Sequence, residues 1–209
     1  MRTPLLILLL SCLLAAITPV HAQNTDNAEL AALYDDDQKA RADGMNIDWS
    51  LVYREDAERR ARVLALMREG AMRTAADHYH AAMVFQHGNG LDDIRIAHAL
   101  STLASTLAPD EIHYRWLVAA SWDRIMATQL QPQWYGTQFQ GSDAGLFLYP
   151  IADGAIDDAE RARMGVPSLA QSQARVGEMA ASMGQQARPQ PPTIEQLRQE
   201  RRLGETDAP

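Results

Sequence analysis

The sequence predicts a mainly α-helical protein: an antiparallel helical bundle built of helical hairpins, with a short β-hairpin or Gly/aromatic loop after the fifth helix. Three observations predict it. Apolar residues recur at helical spacing in successive blocks. Polar capping residues open several of these blocks and glycines close them. After Gln129 the pattern changes to aromatic residues set among glycines. The chain has 209 residues, 46% hydrophobic and 22% charged, which suits one globular domain and excludes a mainly disordered one.

Residues 1–22 read as a secretory signal rather than as part of the fold. Arg2 supplies the positive start, and Leu5 to Ile17 is apolar apart from Ser11 and Cys12. Pro19 breaks the run, and Val20-His21-Ala22 fits a small-residue cleavage pattern, with cleavage expected between Ala22 and Gln23. The apolar run is short for a bilayer core of ~30 Å, so no transmembrane anchor is expected after cleavage. The alternative is a lipoprotein modified at Cys12. Cleavage after Ala22 removes the sole cysteine, so a periplasmic or secreted mature chain has no disulfide and is held by its core alone. The formal charge of −8 excludes a generic nucleic-acid binder, which needs a basic surface to displace counterions.

Residues 23–185 read as one helical domain. Asn27 to Ala42 carries Leu30, Leu33 and Tyr34, then the acidic run Asp35-Asp36-Asp37, and ends before Gly44. Glu55 to Glu69 has acids in its first turn, Arg68 in its last and Gly70 beyond, the order that a helix dipole favours. Thr74 caps a helix that runs to His87 and stops at Gly88. Leu91 to Leu107 places Ile96, Leu100, Leu103 and Leu107 at helical spacing, and Pro109 suits the first turn of a helix reaching Gln129. Short connections make neighbouring helices antiparallel. His78-Tyr79 recurs as His113-Tyr114 at about a tetratricopeptide period, but a plain bundle explains the pattern as well. Trp134 to Phe139 and Leu146 to Tyr149 then form a hairpin or a pocket-lining loop, followed by helices over 157–164 and 167–183. Residues 186–209 read as a Pro-rich linker and a flexible polar tail, with Thr193 to Pro209 mobile or marginally helical.

The chemistry-bearing residues are few. His78 and His80 are two apart and point to nearly opposite sides of a helix. His80 and His87 share a face but lie about 10.5 Å apart along it. No His-x3-His spacing occurs, so neither a metal nor another cofactor is expected. His87 sits at a helix C-terminus, where it either caps the helix or serves as a general base or a ligand contact. Asp123 lies on an apolar helix face and needs a partner from another element: an arginine, His87 or a backbone donor of the aromatic loop. Arg124 projects along the row of His113, Leu117 and Ala120. Gln133-Trp134-Tyr135-Gly136-Thr137-Gln138 gathers amides, a phenol and a hydroxyl around a permissive glycine. These groups either orient a polar ligand or satisfy backbone.

Several strings together resemble a known family: Asp37-Gln38-x-x-Arg41, Ala81-Ala82-x-x-Phe85-Gln86-His87, Asp123-Arg124, Gln133-x-Tyr135-Gly136-Thr137-Gln138, Pro150-x-x-Asp153 and Arg163-x-Gly165. Across residues 29–170 the chain resembles the bacterial domain-of-unknown-function family 6624. That resemblance implies a helical domain in which these strings meet. It implies no activity.

Two functions follow as expectations. The preferred one is an exported, non-enzymatic binding module that takes a small polar ligand or a protein partner through Gln86, His87, Gln133, Tyr135, Thr137 and Gln138. The alternative is a cofactor-free hydrolase or transferase, with His87 as general base, Asp123 orienting it, and Arg124 or Gln138 stabilising negative charge.

Overall fold

The computed structural model describes residues 25–43, 46–188 and 190–206. The expected signal, its cleavage point and Cys12 lie outside the described residues. Among the described residues no helix is long and apolar enough to cross a membrane.

The protein is mainly helical. Five helices form the body: α1 (Ala28–Lys39), α2 (Trp49–Arg68), α3 (Ala75–Gln86), α4 (Leu91–Leu107) and α5 (Ile112–Thr128). Local chemistry sets their ends. Asn27 caps α1 by accepting from the N–H groups of Glu29 and Leu30, and Thr74 caps α3 in a reciprocal box with Asp77. The sequence reading starts the second helix at Glu55, whereas the structure starts it at Trp49 behind an Asp48 cap. Pro109 likewise lies in a turn before α5 and not inside it.

Side-chain ties reveal the helix directions. The Asn27 N–H donates to Asp77 at the start of α3, and His87 at the end of α3 meets Asp37 near the end of α1. These two helices are therefore parallel. Arg62, late in α2, pairs with Glu29, while Asp56, early in α2, pairs with Arg41, so α2 runs the other way. Connections of a few residues turn α4 against α3 and α5 against α4. Tyr79 meets His113 at 5.0 Å and Tyr114 at 4.7 Å, which brings the repeated His-Tyr strings into contact and sets α5 parallel to α3. Thus α1, α3 and α5 point one way, and their C-terminal ends share one end of the bundle. Leu30, Val63, Leu66, Ala82, Val84, Phe85 and Leu117 form the core between them. The small side chains Ala81, Ala82 and Ala97 let the helices approach closely.

Beyond α5, strands β1 (Phe139–Ser142) and β2 (Gly145–Leu148) make an antiparallel hairpin about a two-residue turn, Asp143–Ala144. The sequence reading extends the first strand back to Trp134; the structure instead wraps residues 134–138 around Asp123. Two short helices follow, α6 (Asp158–Arg163) and α7 (Leu169–Ser182). The tail, read from the sequence as mobile or marginally helical, forms α8 (Ile194–Thr206), with Leu197 buried against Phe147 and Tyr149. Leu146 also pairs with the linker: its N–H donates to Gln186 O, and its carbonyl accepts from the Arg188 N–H.

Candidate functional site

The C-terminal ends of α1, α3 and α5 gather most of the side chains that the sequence singles out. Asp37 lies one heptad after Leu30 on α1, so it falls on the buried stripe, and it is fully inaccessible. Its carboxylate accepts from Gln38 Nε2 at 2.8 Å and Arg41 Nη1 at 2.9 Å. It also meets His87 Nδ1 at 2.8 Å. The other fork of Arg41 donates to Asp56, which also accepts from Arg59 Nη2 at 2.6 Å. Asp56 and Arg59 lie on the α2 stripe with Val52, Val63 and Leu66. Burial works to raise the Asp56 pKa, but the two guanidiniums bonded to it hold it below the ordinary carboxylate value.

The structure places His87 and Asp123 in separate arrangements. His87 is oriented by Asp37. Asp123, fully buried, accepts from the N–H groups of Trp134 at 2.8 Å, Tyr135 at 2.9 Å and Thr137 at 3.0 Å, and from Thr137 Oγ1 at 2.9 Å. Its role is to hold the loop. The pairing of His87 with Asp123 fails for this physical reason: the Asp123 carboxylate is saturated by loop donors, while a different acid is already bonded to the imidazole. Burial pushes the Asp123 carboxyl up, against the downward pull of those donors. Gly136 makes the wrap feasible with φ +86, in the left-handed region that a side chain disfavours.

Three of the proposed ligand contacts, Gln133, Thr137 and Gln138, are also occupied internally. Gln133 is fully buried. Its Nε2 donates to Gln138 O and Tyr149 O, and its Oε1 accepts from the Gln138 N–H, so it clips the loop to the chain after β2. Thr137 bridges Asp123 and Gln138 Nε2. Gln138 Nε2 is likewise held internally, donating to Thr137 Oγ1 and to Ala120 O, one turn before Arg124 on α5. Gln86 is buried with its Oε1 unmatched. Tyr135 has its carbonyl held by Arg161 Nε at 3.1 Å, while its hydroxyl has no hydrogen bond among the described residues. Burial raises the Tyr135 pKa, as do the nearby Glu160 and Asp123 charges, so the phenol stays protonated.

Arg124 continues the row of Leu117 and Ala120 toward α1 and α3, and its guanidinium has no hydrogen bond or ion pair among the described residues. Burial lowers its pKa, and the nearby Arg41 charge lowers it further. The group nevertheless stays charged, as guanidiniums do in proteins. Sequence reasoning missed Asp37, Arg41, Asp56 and Arg59 as parts of one network. The available signal was a set of charges on two apolar helical stripes.

A cavity of about 790 Å³ lies elsewhere, between the chain after β2, α7 and the linker, with Asp153, Arg161 and Arg188 in its walls. Comparison with family models, with curated proteins and with solved structures finds no match to this chain.

Proposed function

We propose that the protein is an exported, non-enzymatic binding module that takes a small polar ligand at the bundle end formed by α1, α3, α5 and the Trp134–Gln138 loop. The observation that carries this reading is the placement of Gln86, His87 and Arg124 at the C-terminal ends of the parallel helices α3 and α5, with His87 bonded to Asp37 of α1 and the Gln138 amide on Ala120 O of α5. The strings on which the family resemblance rests supply most of these side chains, which supports treating this end as the site and the chain as a member of that family. The hydrogen bonds to Asp37 and Asp123 lock neighbouring groups in place, as a preorganised receptor requires.

The test is a thermal-shift and NMR screen of small polar metabolites against the chain from Gln23 onward. The expected result is a ligand that raises the Tm of the wild type and loses its effect in His87→Ala and Gln138→Ala. Identical profiles for wild type and both variants would remove this end from the site. Export is tested by N-terminal sequencing of protein from the extracytoplasmic fraction: a start at Gln23 is expected, and an intact Met1 would overturn it.

A second reading rests on the His87–Asp37 contact. An imidazole bonded to a buried carboxylate through Nδ1 is oriented to use Nε2 as a base, and the His87 side chain is 22% exposed. This reading makes Asp37 the orienting acid of a hydrolase or transferase. Consumption of the bound ligand by wild type but not by His87→Ala would favour it, and unchanged ligand recovered from wild type would count against it.

A further inference from the structure

The chain after β2, one face of α7 and the linker enclose the cavity of about 790 Å³, and none of its lining residues belongs to α1, α3 or α5. Small-molecule pockets span about 300–1,000 Å³. Leu169, Gln173, Val176 and Gly177 are spaced i, i+4, i+7 and i+8 along α7, so one face of that helix makes one wall. Ile151 and Ile156 extend the apolar surface from the chain after β2. Gly177 is the unusual member. It lies inside α7, where glycine costs stability relative to alanine. Its backbone is helical, which any residue adopts, and a Cβ at this position would meet nothing within 4 Å. Packing therefore does not call for glycine there. A bare backbone keeps the wall low and lets a ligand approach the helix closely. Apolar walls that face water also forgo the free energy of burial, and an apolar occupant restores it.

Two arginines stand in these walls, and they differ in what they can still bind. Arg161 is occupied: Nε and Nη2 donate to Tyr135 O and Trp134 O, both at 3.1 Å, and Nη1 to Asp158 at 3.0 Å. Arg188 is fixed at its backbone, where its N–H donates to Leu146 O at 2.7 Å. Its guanidinium lies over the Phe147 ring, 5.7 Å from the centroid, and has no hydrogen bond or ion pair among the described residues. A guanidinium held over a ring by cation–π attraction keeps its N–H donors for other acceptors. Asp153 also lines the cavity, but it is exposed and keeps its hydration. We infer that this cavity binds a small amphiphile, with an apolar body against Ile151, Leu169 and Val176 and a carboxylate head on Arg188. The paired oxygens of a carboxylate match the parallel N–H donors of an arginine. This site is separate from the one at the bundle end and does not depend on it.

The test titrates the purified protein calorimetrically with decanoate, and separately with decanol and decyltrimethylammonium, each below its micellar range. Decanoate should bind wild type and shift the methyl resonances of Ile151, Leu169 and Val176. Decanol should bind more weakly, and decyltrimethylammonium most weakly. Gly177→Leu puts a side chain into the open space, and Arg188→Gln removes the fork. Each should weaken decanoate by about tenfold or more, while Arg188→Gln leaves decanol binding unchanged. Without a probe, Gly177→Leu should melt at or above wild type, because leucine is the better helix former. Gly204→Leu, at another helical glycine with open space around it, and Arg95→Gln, on the exposed face of α4, should bind decanoate as wild type does. Equal decanoate binding by wild type and Gly177→Leu overturns the inference, as does no binding of decanoate by wild type. A lower Tm for Gly177→Leu would mean that the space is closed, and would overturn it too. Unchanged decanoate binding in Arg188→Gln overturns the carboxylate head, and so does tightest binding of decyltrimethylammonium, which would move the headgroup to Asp153.

Discussion

Asp123 and Asp37 show how differently two buried carboxylates of one bundle can be used. Asp123 replaces water for three loop amides, those of Trp134, Tyr135 and Thr137, and for the Thr137 hydroxyl. Asn at that position offers one acceptor oxygen and turns an N–H₂ toward N–H groups, so Asp123→Asn should cost roughly 2–4 kcal/mol, read from urea denaturation. Amide exchange should quicken at Trp134, Tyr135 and Thr137, while the His87 ring resonances stay in place. Asp37→Asn should do the reverse, moving the His87 ring signals and leaving the loop amides protected. If Asp123→Asn moves the His87 ring and Asp37→Asn does not, the assignment of partners is wrong. The need of Asp123 for a partner was legible, because a carboxylate on an apolar helix face demands one. The identity of the acid beside His87 was not. Asp37 lies fifty positions away, and only the parallel run of α1 and α3 brings the two together.

Elements were legible where capping and periodicity agreed. Thr74, Gly88 and the apolar row of α4 place their helices within a residue or so. The first turns of α2 escaped because Trp49, Leu51 and Tyr53 are exposed and surround Val52, the one buried residue before Asp56, while Glu55 and Asp56 imitate a helix start. The docking of the tail escaped because its short apolar signal, Ile194 and Leu197, gains meaning only against Phe147 and Tyr149. Leu197→Ala should therefore destabilise the protein by about 2–4 kcal/mol in urea denaturation, as for other buried leucines, whereas a tail without a docking role would show almost no change. Gly145 is the second sensitive point of this region. It has φ +113, and a Cβ there would lie 2.3 Å from Gln186 O. Gly145→Ala should cost about 1–3 kcal/mol in backbone strain alone, and should expose the Leu146 and Arg188 amides to exchange.

For the whole molecule, burial and ion pairing set an acid-sensitive stability. Burial lowers the pKa of His80, which stacks on Tyr34 at 4.8 Å, and that of His98, which bonds Ser121. The unfolded chain then binds more protons near the free-histidine value of 6.5, so their contribution is present above that pH and is lost as pH falls through it. Urea midpoints should drop between about pH 7 and pH 5.5, and His80→Phe should flatten that drop. A second loss should follow as pH falls below 3.8, where the unfolded chain takes up protons that Asp56 and Asp77 resist in the folded state, and continue through their lowered folded values. Burial opposes both lowered values, but arginine partners for Asp56 and backbone donors for Asp77 outweigh it. Asp123 runs the other way: its raised pKa contributes stability below 3.8 that is lost as pH rises through its folded value, so it partly masks the acid limb. Fold class and the antiparallel order of neighbouring helices could be read along the chain, but the acids that meet His87 and Arg41 at the bundle end could not, because they depend on ties between distant positions. The docking of α8 carries a consequence for synthesis. Ribosomes make the chain from its N-terminus, so the five-helix body can close while Phe147 and Tyr149 still wait for Leu197. A nascent or prematurely terminated product then carries a finished bundle with an open aromatic flank, the part that a protease or chaperone meets first.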